Sequence, residues 1–238
     1  MEAKTKDIWV FIETNEDGTP KNVGLELLTP GRMIAEKQGG KLVAVVLGCN
    51  CGAAVEAASK HGADQVVVAD NEIFKNYTTD AYQIALVQLL EKYAPTSMMI
   101  GATNNGRDLG PRVSSKLNTG LTADCTALDV DAETGNVLWT RPAFGGNLMA
   151  TIICPDHRPQ IGTVRPGVFK KSEQGEAKAE VIEEKIEVAP SDIRTRVVEL
   201  IKDMDSEKID LEGAEIIVSG GRGIGGPEGF ETHLKPLA

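Results

Sequence analysis

Short apolar runs alternate with amphipathic segments in the first half of the chain. The apolar runs are Asp7–Thr14, Lys41–Leu47, Gln65–Ala69 and Ser97–Ile100. They are continuous and rich in β-branched residues, which is typical of parallel strands covered on both faces. After each run comes a predicted helix: Val23–Lys37, Gly52–Lys60, Thr79–Lys92 and Gly106–Leu117. This order predicts an α/β fold with a mostly parallel, doubly wound, nucleotide-binding-like sheet.

The middle of the chain has a different pattern. Between Thr122 and Val164 it is rich in β-formers and turn residues, and Thr134-Gly135-Asn136 lies between two alternating runs. A turn of this kind between alternating runs indicates a β-hairpin. With two further strands predicted at Asn147–Cys154 and Ile161–Val164, we expect an antiparallel β-meander added to the parallel sheet.

The last third of the chain begins with an exposed connection and later contains one more buried apolar run. The predicted elements are a connection at Lys170–Ala179, a strand at Val181–Val188, an amphipathic helix at Ile193–Lys202, a strand at Glu215–Ser219 and a helix start at Gly229–Ala238. We place the domain boundary around Ser206–Gly213. Residues 1–205 are thus predicted to form one α/β domain, and residues 206–238 a linker and the first βα unit of another. Since one βα unit cannot bury its own apolar face, we expect the chain to be truncated.

Composition and charge exclude several classes of function. The formal net charge is −10 and aromatic residues make up only 4%. Nucleic acids and anionic membranes are bound through clustered Lys and Arg, so neither is expected as a partner. The polar N-terminus shows no signal peptide, and no apolar run approaches the roughly 20 residues that span a bilayer. We therefore expect a cytoplasmic protein.

Neither the cysteines nor the histidines form a recognisable catalytic or metal site. Cys49 and Cys51 alone are half of a metal site, and no second ligand pair completes it. The three histidines have no nucleophile at a characteristic spacing. A stand-alone enzyme is therefore the weakest of the functional hypotheses.

Two glycine-containing turns could bind a nucleotide. Gly221–Gly226 fits the G-x-G-x-x-G template after a predicted strand, with Arg222 able to add charge beside a phosphate. Gly101–Arg112 follows the fourth strand, where open α/β sheets bind ligands. Both remain open to a simpler interpretation: a plain strand-to-helix turn at the first, and at the second a turn capped by Asn104 and Asp108 in which Arg107 or Arg112 pairs with a carboxylate.

Two blocks of the meander are dense in arginine, glycine and proline. They are Thr140–Asn147 and Arg158–Gly167. Arginine before proline is held extended, which partly fixes its direction, as at Arg141 and Arg165. Such arginines suit an anionic or electron-rich ligand such as a reduced flavin. The same residues could equally shape tight turns.

Three segments together resemble the alpha subunits of electron-transferring flavoproteins. They are GATNNGRDLGPRVSSKLNTGLTADCTAL, TRPAFGGNLMATIICPDHRPQIGTVRPGVF and IIVSGGRG. Their order and spacing agree throughout, and the resemblance spans essentially the whole chain. It implies a heterodimer in which the alpha N-terminal domain docks a beta subunit of related fold. The alpha C-terminal domain would carry one FAD and rotate on the base that the alpha N-terminal domain and the beta subunit form together.

The resemblance also implies cofactor contacts. Arg222, with Gly221 and Gly223, would contact the alpha-subunit FAD, whose remaining contacts are expected beyond Ala238. The beta subunit would hold AMP, or a second FAD in electron-bifurcating members. Arg141 and Arg165 are the candidates to face that second flavin. The alpha-domain turn corresponding to the beta nucleotide site is expected to be empty.

The leading hypothesis is therefore a subunit that carries electrons. Its redox partners would be dehydrogenases or NADH on one side and quinone, ferredoxin or acyl-CoA dehydrogenases on the other, and the resemblance leans toward the bifurcating or fermentative group. The alternative is an adenine-nucleotide-binding regulatory module of the universal-stress type, built on the same sheet.

Overall fold

The computed structural model describes residues 2–199, 214 and 216–238. Its internal contacts divide the chain into two compact units, Met1–Glu199 and Leu200–Ala238. The boundary predicted around Ser206–Gly213 lies outside the described residues and stays a prediction.

The first unit is built on a seven-stranded parallel sheet. Its strands are β1 (Ile8–Ile12), β2 (Leu42–Gly48), β3 (Gln65–Asp70), β4 (Ser97–Gly101), β5 (Leu121–Cys125), β9 (Gln160–Val164) and β10 (Glu180–Glu183). They are ordered β10-β3-β2-β1-β4-β9-β5, and every neighbouring pair is parallel. The central strands are buried along their whole length, as their continuous apolar runs require. The predicted α/β sheet is confirmed.

Four helices cover this sheet on two faces. They are α1 (Asn22–Gln38), α2 (Gly52–Lys60), α3 (Thr79–Tyr93) and α4 (Asn104–Lys116). Side chains of α1 and α2 pack in one apolar cluster, and those of α3 and α4 pack in another on the opposite face. All four lie within two residues of their predicted bounds.

A three-stranded antiparallel sheet is attached to the parallel one. It consists of β6 (Ala127–Val130), β7 (Val137–Ala143) and β8 (Leu148–Ile152), and we call it the arm. Gly135 takes a left-handed φ of 69° in the β6–β7 turn, as the hairpin signal predicted. The arm packs closely on β9, because a Cβ added at Gly162 would lie 2.2 Å from ring atoms of Trp139.

Two strand predictions need correction in their partners or extent. Ile161–Val164 was expected in the meander, but β9 lies inside the parallel sheet between β4 and β5. Val181–Val188 was expected as a strand, but β10 ends at Glu183. β9 is too short for its sequence pattern to specify a partner, and β10 is an edge strand that pairs with β3 only along Gln65–Val68.

The predicted helix Ile193–Lys202 is wrong for residues 193–199, which have no helical assignment. Arg194 instead donates to Asp80 through its backbone N–H at 3.0 Å and its guanidinium at 2.7 and 3.1 Å. A side-chain and backbone attachment of this kind holds the segment against α3. The rest of the predicted helix lies outside the described residues.

The second unit contains short turns of helix. Ile216–Ser219, part of a predicted strand, has no strand assignment, because β-structure requires a hydrogen-bonded neighbour. A 3-10 turn follows at Arg222–Ile224, and helical turns run from Pro227 to Leu234. In the described residues of both units, no helix is long and apolar enough to cross a bilayer.

Candidate functional site

The turn between β4 and α4 is closed by a buried carboxylate. Glu13, which directly follows β1, is only 5% exposed. It accepts hydrogen bonds from the Thr103 hydroxyl at 2.5 Å and the Asn105 amide at 2.8 Å, and it pairs with Lys21 at 2.7 Å. Open α/β sheets bind ligands at this edge. Glu13 therefore places the chain's own negative charge where a nucleotide phosphate would need to bind.

The turn itself is capped, as the simpler interpretation held. The capping residue is Thr103, whose hydroxyl accepts from the Gly106 N–H at 3.0 Å, rather than Asn104 or Asp108. Arg107 and Arg112 each pair with a carboxylate, as expected. The structure thus favours a structural role for this turn.

On β5, at the end of the sheet and two positions from β4, a bulge brings a second carboxylate to the same edge. The register between β5 and β9 shifts between Thr122 and Cys125. Within the bulge Asp124 adopts a φ of 60°, a left-handed conformation that Asp tolerates better than most residues. Its N–H donates to the Thr163 hydroxyl at 2.9 Å, and the Arg165 N–H donates to the Cys125 carbonyl at 3.0 Å. The bulge is therefore held from both sides.

Arginines gather around Asp124, and we call this group the arginine cluster. Arg165 donates to both carboxylate oxygens, from Nε at 3.1 Å and from Nη2 at 2.7 Å. Arg107 approaches from α4, with Nη2 3.6 Å from Oδ1. The Arg165 side chain remains 48% exposed and that of Arg107 60% exposed. The cluster consequently presents cationic groups to solvent.

Arg141 belongs to the same electrostatic environment. Hydrogen bonding by Arg165 holds the pKa of Asp124 below its ordinary value, and the charges of Arg165, Arg107 and Arg141 act in the same direction. Burial raises the pKa of the neighbouring Cys125 thiol to about 12, and the charge of Arg141 opposes that rise. Two arginines thus lie at the carboxylate and the charge of a third acts on it, which makes the group positive in sum.

The remaining arginine before a proline has a different use. Arg158 donates to the carbonyls of Cys154, Pro155 and His157 at 2.9–3.1 Å and to the Asn136 side chain at 2.9 Å. These contacts close a loop. Arg158 therefore shapes a turn, whereas Arg165 pairs with Asp124 and the charge of Arg141 acts on the same carboxylate.

The arm exposes several apolar side chains to solvent. Those at the β7–β8 turn are Phe144, Leu148 and Met149, and we call them the apolar tip; Ile152 and Ile153, at the other end of β8, are also exposed. Phe144, three residues after Arg141 in the chain, is 83% exposed. Exposed apolar groups in one place are typical of an interaction surface.

In the second unit, the predicted cofactor residues have an open backbone. A Cβ added at Gly221 or Gly223 would meet nothing within 4 Å. Arg222 between them is exposed, and Gly225 closes the turn with a φ of 83°. A ligand could therefore approach this backbone closely, and the role of these residues stays a prediction.

Comparison with known proteins decides the family. Residues 8–189 match the model of the electron transfer flavoprotein domain. The chain belongs to the electron transfer flavoprotein family.

Curated relatives agree with this assignment. Protein FixB of Clostridium saccharobutylicum is 51% identical over 96% of this chain and 68% of its own length. The electron transfer flavoprotein subunit alpha of Clostridium acetobutylicum is 48% identical over 99% of the chain and 70% of its own. The acryloyl-CoA reductase electron transfer subunit beta of Anaerotignum propionicum is 43% identical, over 92% and 66% respectively. The predicted resemblance to alpha subunits is confirmed, and the family supports electron transfer with a flavin.

Two residues of this electron transfer flavoprotein domain escaped sequence reasoning. Glu13 could have been found, because it is an acidic residue at the carboxyl end of a buried strand, where open α/β sheets bind ligands. Asp124 gave no such signal, since its position depends on a bulge and on an arginine 41 residues away.

Proposed function

We propose that this chain is the alpha-type subunit of a heterodimeric electron transfer flavoprotein. It docks a beta subunit through the apolar tip and presents Arg141 and Arg165 to an FAD held at that junction. Two observations support the proposal: cationic groups at Asp124 remain exposed, and an exposed apolar surface begins at Phe144, three residues after Arg141 in the chain. A dinucleotide with a large aromatic ring system needs both kinds of contact.

The residues present fit an FAD in two places. At the arginine cluster, half-exposed guanidinium groups can donate hydrogen bonds and oppose negative charge. At Gly221–Gly223, the open backbone and exposed Arg222 suit a different FAD, the one expected in the alpha C-terminal domain. FAD supplies reversible uptake of electrons from a donor. The part of this chain is to stabilise the negative charge that accumulates on reduction, which a preorganised cation does without reorganisation.

The redox partners follow from the same proposal. The Anaerotignum relative is named as an electron transfer subunit of acryloyl-CoA reductase. We propose an acyl-CoA dehydrogenase or reductase as one partner of this chain. NADH, quinone and ferredoxin are the further candidates, and electron bifurcation is the narrower form of the proposal.

Co-expression with the beta subunit tests the docking surface. The double variant Phe144→Ser/Leu148→Ser should weaken the heterodimer at least about tenfold, because apolar anchors dominate interface free energies. Gel filtration and titration of labelled beta subunit measure this. Val181→Ser is the matched control, since Val181 is also an exposed apolar residue but lies on β10 at the far edge of the sheet. Full affinity in the double variant would refute docking at the apolar tip.

Arg165→Ala tests whether a flavin lies against the cluster. Removal of a nearby cation should lower the midpoint reduction potential of the FAD in the purified heterodimer and change its visible spectrum. Spectroelectrochemical titration measures the potential. An unchanged potential and spectrum would remove Arg165 from the flavin site.

A further inference from the structure

We propose that Asp124 is a positioning residue that holds Arg165 and Arg107 toward the flavin. This inference rests on the proposed function, because it names the group that orients the arginines of that same site. Asp124 itself is not expected to contact the flavin.

The backbone around Asp124 shows how it reaches this position. In a regular strand, successive side chains alternate between the two faces of the sheet. The bulge between Thr122 and Cys125 interrupts this alternation, and the left-handed φ of 60° turns Asp124 toward the carboxyl edge. Bulges redirect side chains in this way at functional sites.

The hydrogen-bond pattern determines the orientation of Arg165. Asp124 occupies the edge of the guanidinium formed by Nε and Nη2. Because the guanidinium is planar and rigid, its Nη1 edge must then face away from the carboxylate. A bidentate pair restricts rotation more than a single hydrogen bond does. Asp124 thus prevents a long, half-exposed side chain from sampling other rotamers.

Asp124 also carries a negative charge. A direct effect of that charge on the flavin can be separated by experiment from a positioning effect through the arginines. A carboxylate acting only through its charge disfavours electron uptake nearby, so its removal should raise the flavin potential. A carboxylate that positions cations favours electron uptake through them. Its removal should then lower the potential, as in Arg165→Ala. The sign of the shift distinguishes the roles.

The test uses FAD-loaded heterodimer carrying Asp124→Asn, Asp124→Gly, Arg165→Ala or the pair Asp124→Gly/Arg165→Ala. Asn and Gly both tolerate the left-handed backbone, so the bulge can persist in each variant. Thermal unfolding and subunit titration verify folding and assembly. We expect Asp124→Gly to lower the midpoint potential by at least half of the Arg165→Ala shift, and Asp124→Asn to lower it less. The paired variant should match Arg165→Ala within error.

The other outcomes separate this inference from the proposed function. If Arg165→Ala lowers the potential but Asp124→Gly raises it or leaves it unchanged, the positioning role is overturned and the flavin site stands. If Arg165→Ala itself has no effect, the site assignment fails and the positioning role fails with it. If the paired variant shifts the potential by the sum of the single shifts, Asp124 does not act through Arg165.

Discussion

Glu13 and Asp124 are two carboxylates at the same edge of one sheet, with opposite environments. Glu13 is buried and accepts from Lys21 and two neutral side chains. Asp124 is partly exposed and gathers arginines that remain accessible. At the usual ligand position of this fold, the chain's own Glu13 and its hydrogen-bond partners therefore take the place of a ligand. Accessible positive charge is found instead at the bulge of β5, which β9 separates from β4.

Removal of Glu13 should have the largest effect on stability. Glu13→Ala removes the ion-pair partner of Lys21 and the hydrogen-bond acceptor of Thr103 and Asn105. It should lower the free energy of unfolding by about 2–4 kcal/mol. Asp124→Asn should lower it by less than about 1 kcal/mol, because its partners are solvated. Urea unfolding midpoints measure both, with exposed Glu173→Ala as the control. Equal losses for Glu13 and Asp124 would contradict the contrast.

Asp80 offers an intermediate case, because it also pairs with two arginines. Hydrogen bonds from Arg194 lower its pKa to about 2. The charged form is thus favoured in the folded state, so its contribution is complete above the unfolded pKa of about 4 and is lost as pH falls toward 2. Since Arg194 is largely exposed, Asp80→Asn should cost only about 1 kcal/mol at pH 7.

The pH dependence gives the check on Asp80. Unfolding of the wild type and of Asp80→Asn should differ at pH 7 and converge between about pH 4 and pH 2. A constant difference across this range would show that the Asn substitution acts through packing and not through the ion pairs.

The smallest expected effect is none at all. Because the Glu13 carboxylate is bonded to Thr103 and Asn105 in the turn after β4, ATP and AMP should not bind the isolated chain with micromolar affinity. Isothermal titration calorimetry without flavin measures this. Micromolar binding would favour the universal-stress-type nucleotide module considered from the sequence, and would contradict the closure of this edge by Glu13.

The parallel sheet could be predicted because burial on both faces leaves a continuous apolar run. Strands β1 to β4 carry such runs, and their helices end at clear signals. Strand partners could not be predicted for β9, whose five residues suit either sheet. The helix predicted at Ile193 failed because the Arg194–Asp80 contacts, which join residues 114 apart, outweigh local propensity.

The candidate site was predicted in part. Arg141 and Arg165 were selected because of the prolines that follow them; Arg165 pairs with Asp124, the charge of Arg141 acts on that carboxylate, and their role toward a flavin stays a prediction. Asp124 and Arg107 were not selected, since their meeting depends on a bulge and on the packing of α4. The cap of α4 is Thr103, one residue before the predicted Asn104, because sequence defines helix ends only to within one or two residues.

The contact between Trp139 and Gly162 has a consequence for electron transfer. With no side chain at Gly162, the indole lies directly on β9, the strand that leads to Arg165. The arm and this strand should therefore move as one rigid body. A beta subunit that binds at Phe144 would therefore also be aligned with the arginine cluster. Binding and alignment would then cost the orientational freedom of the two subunits only once.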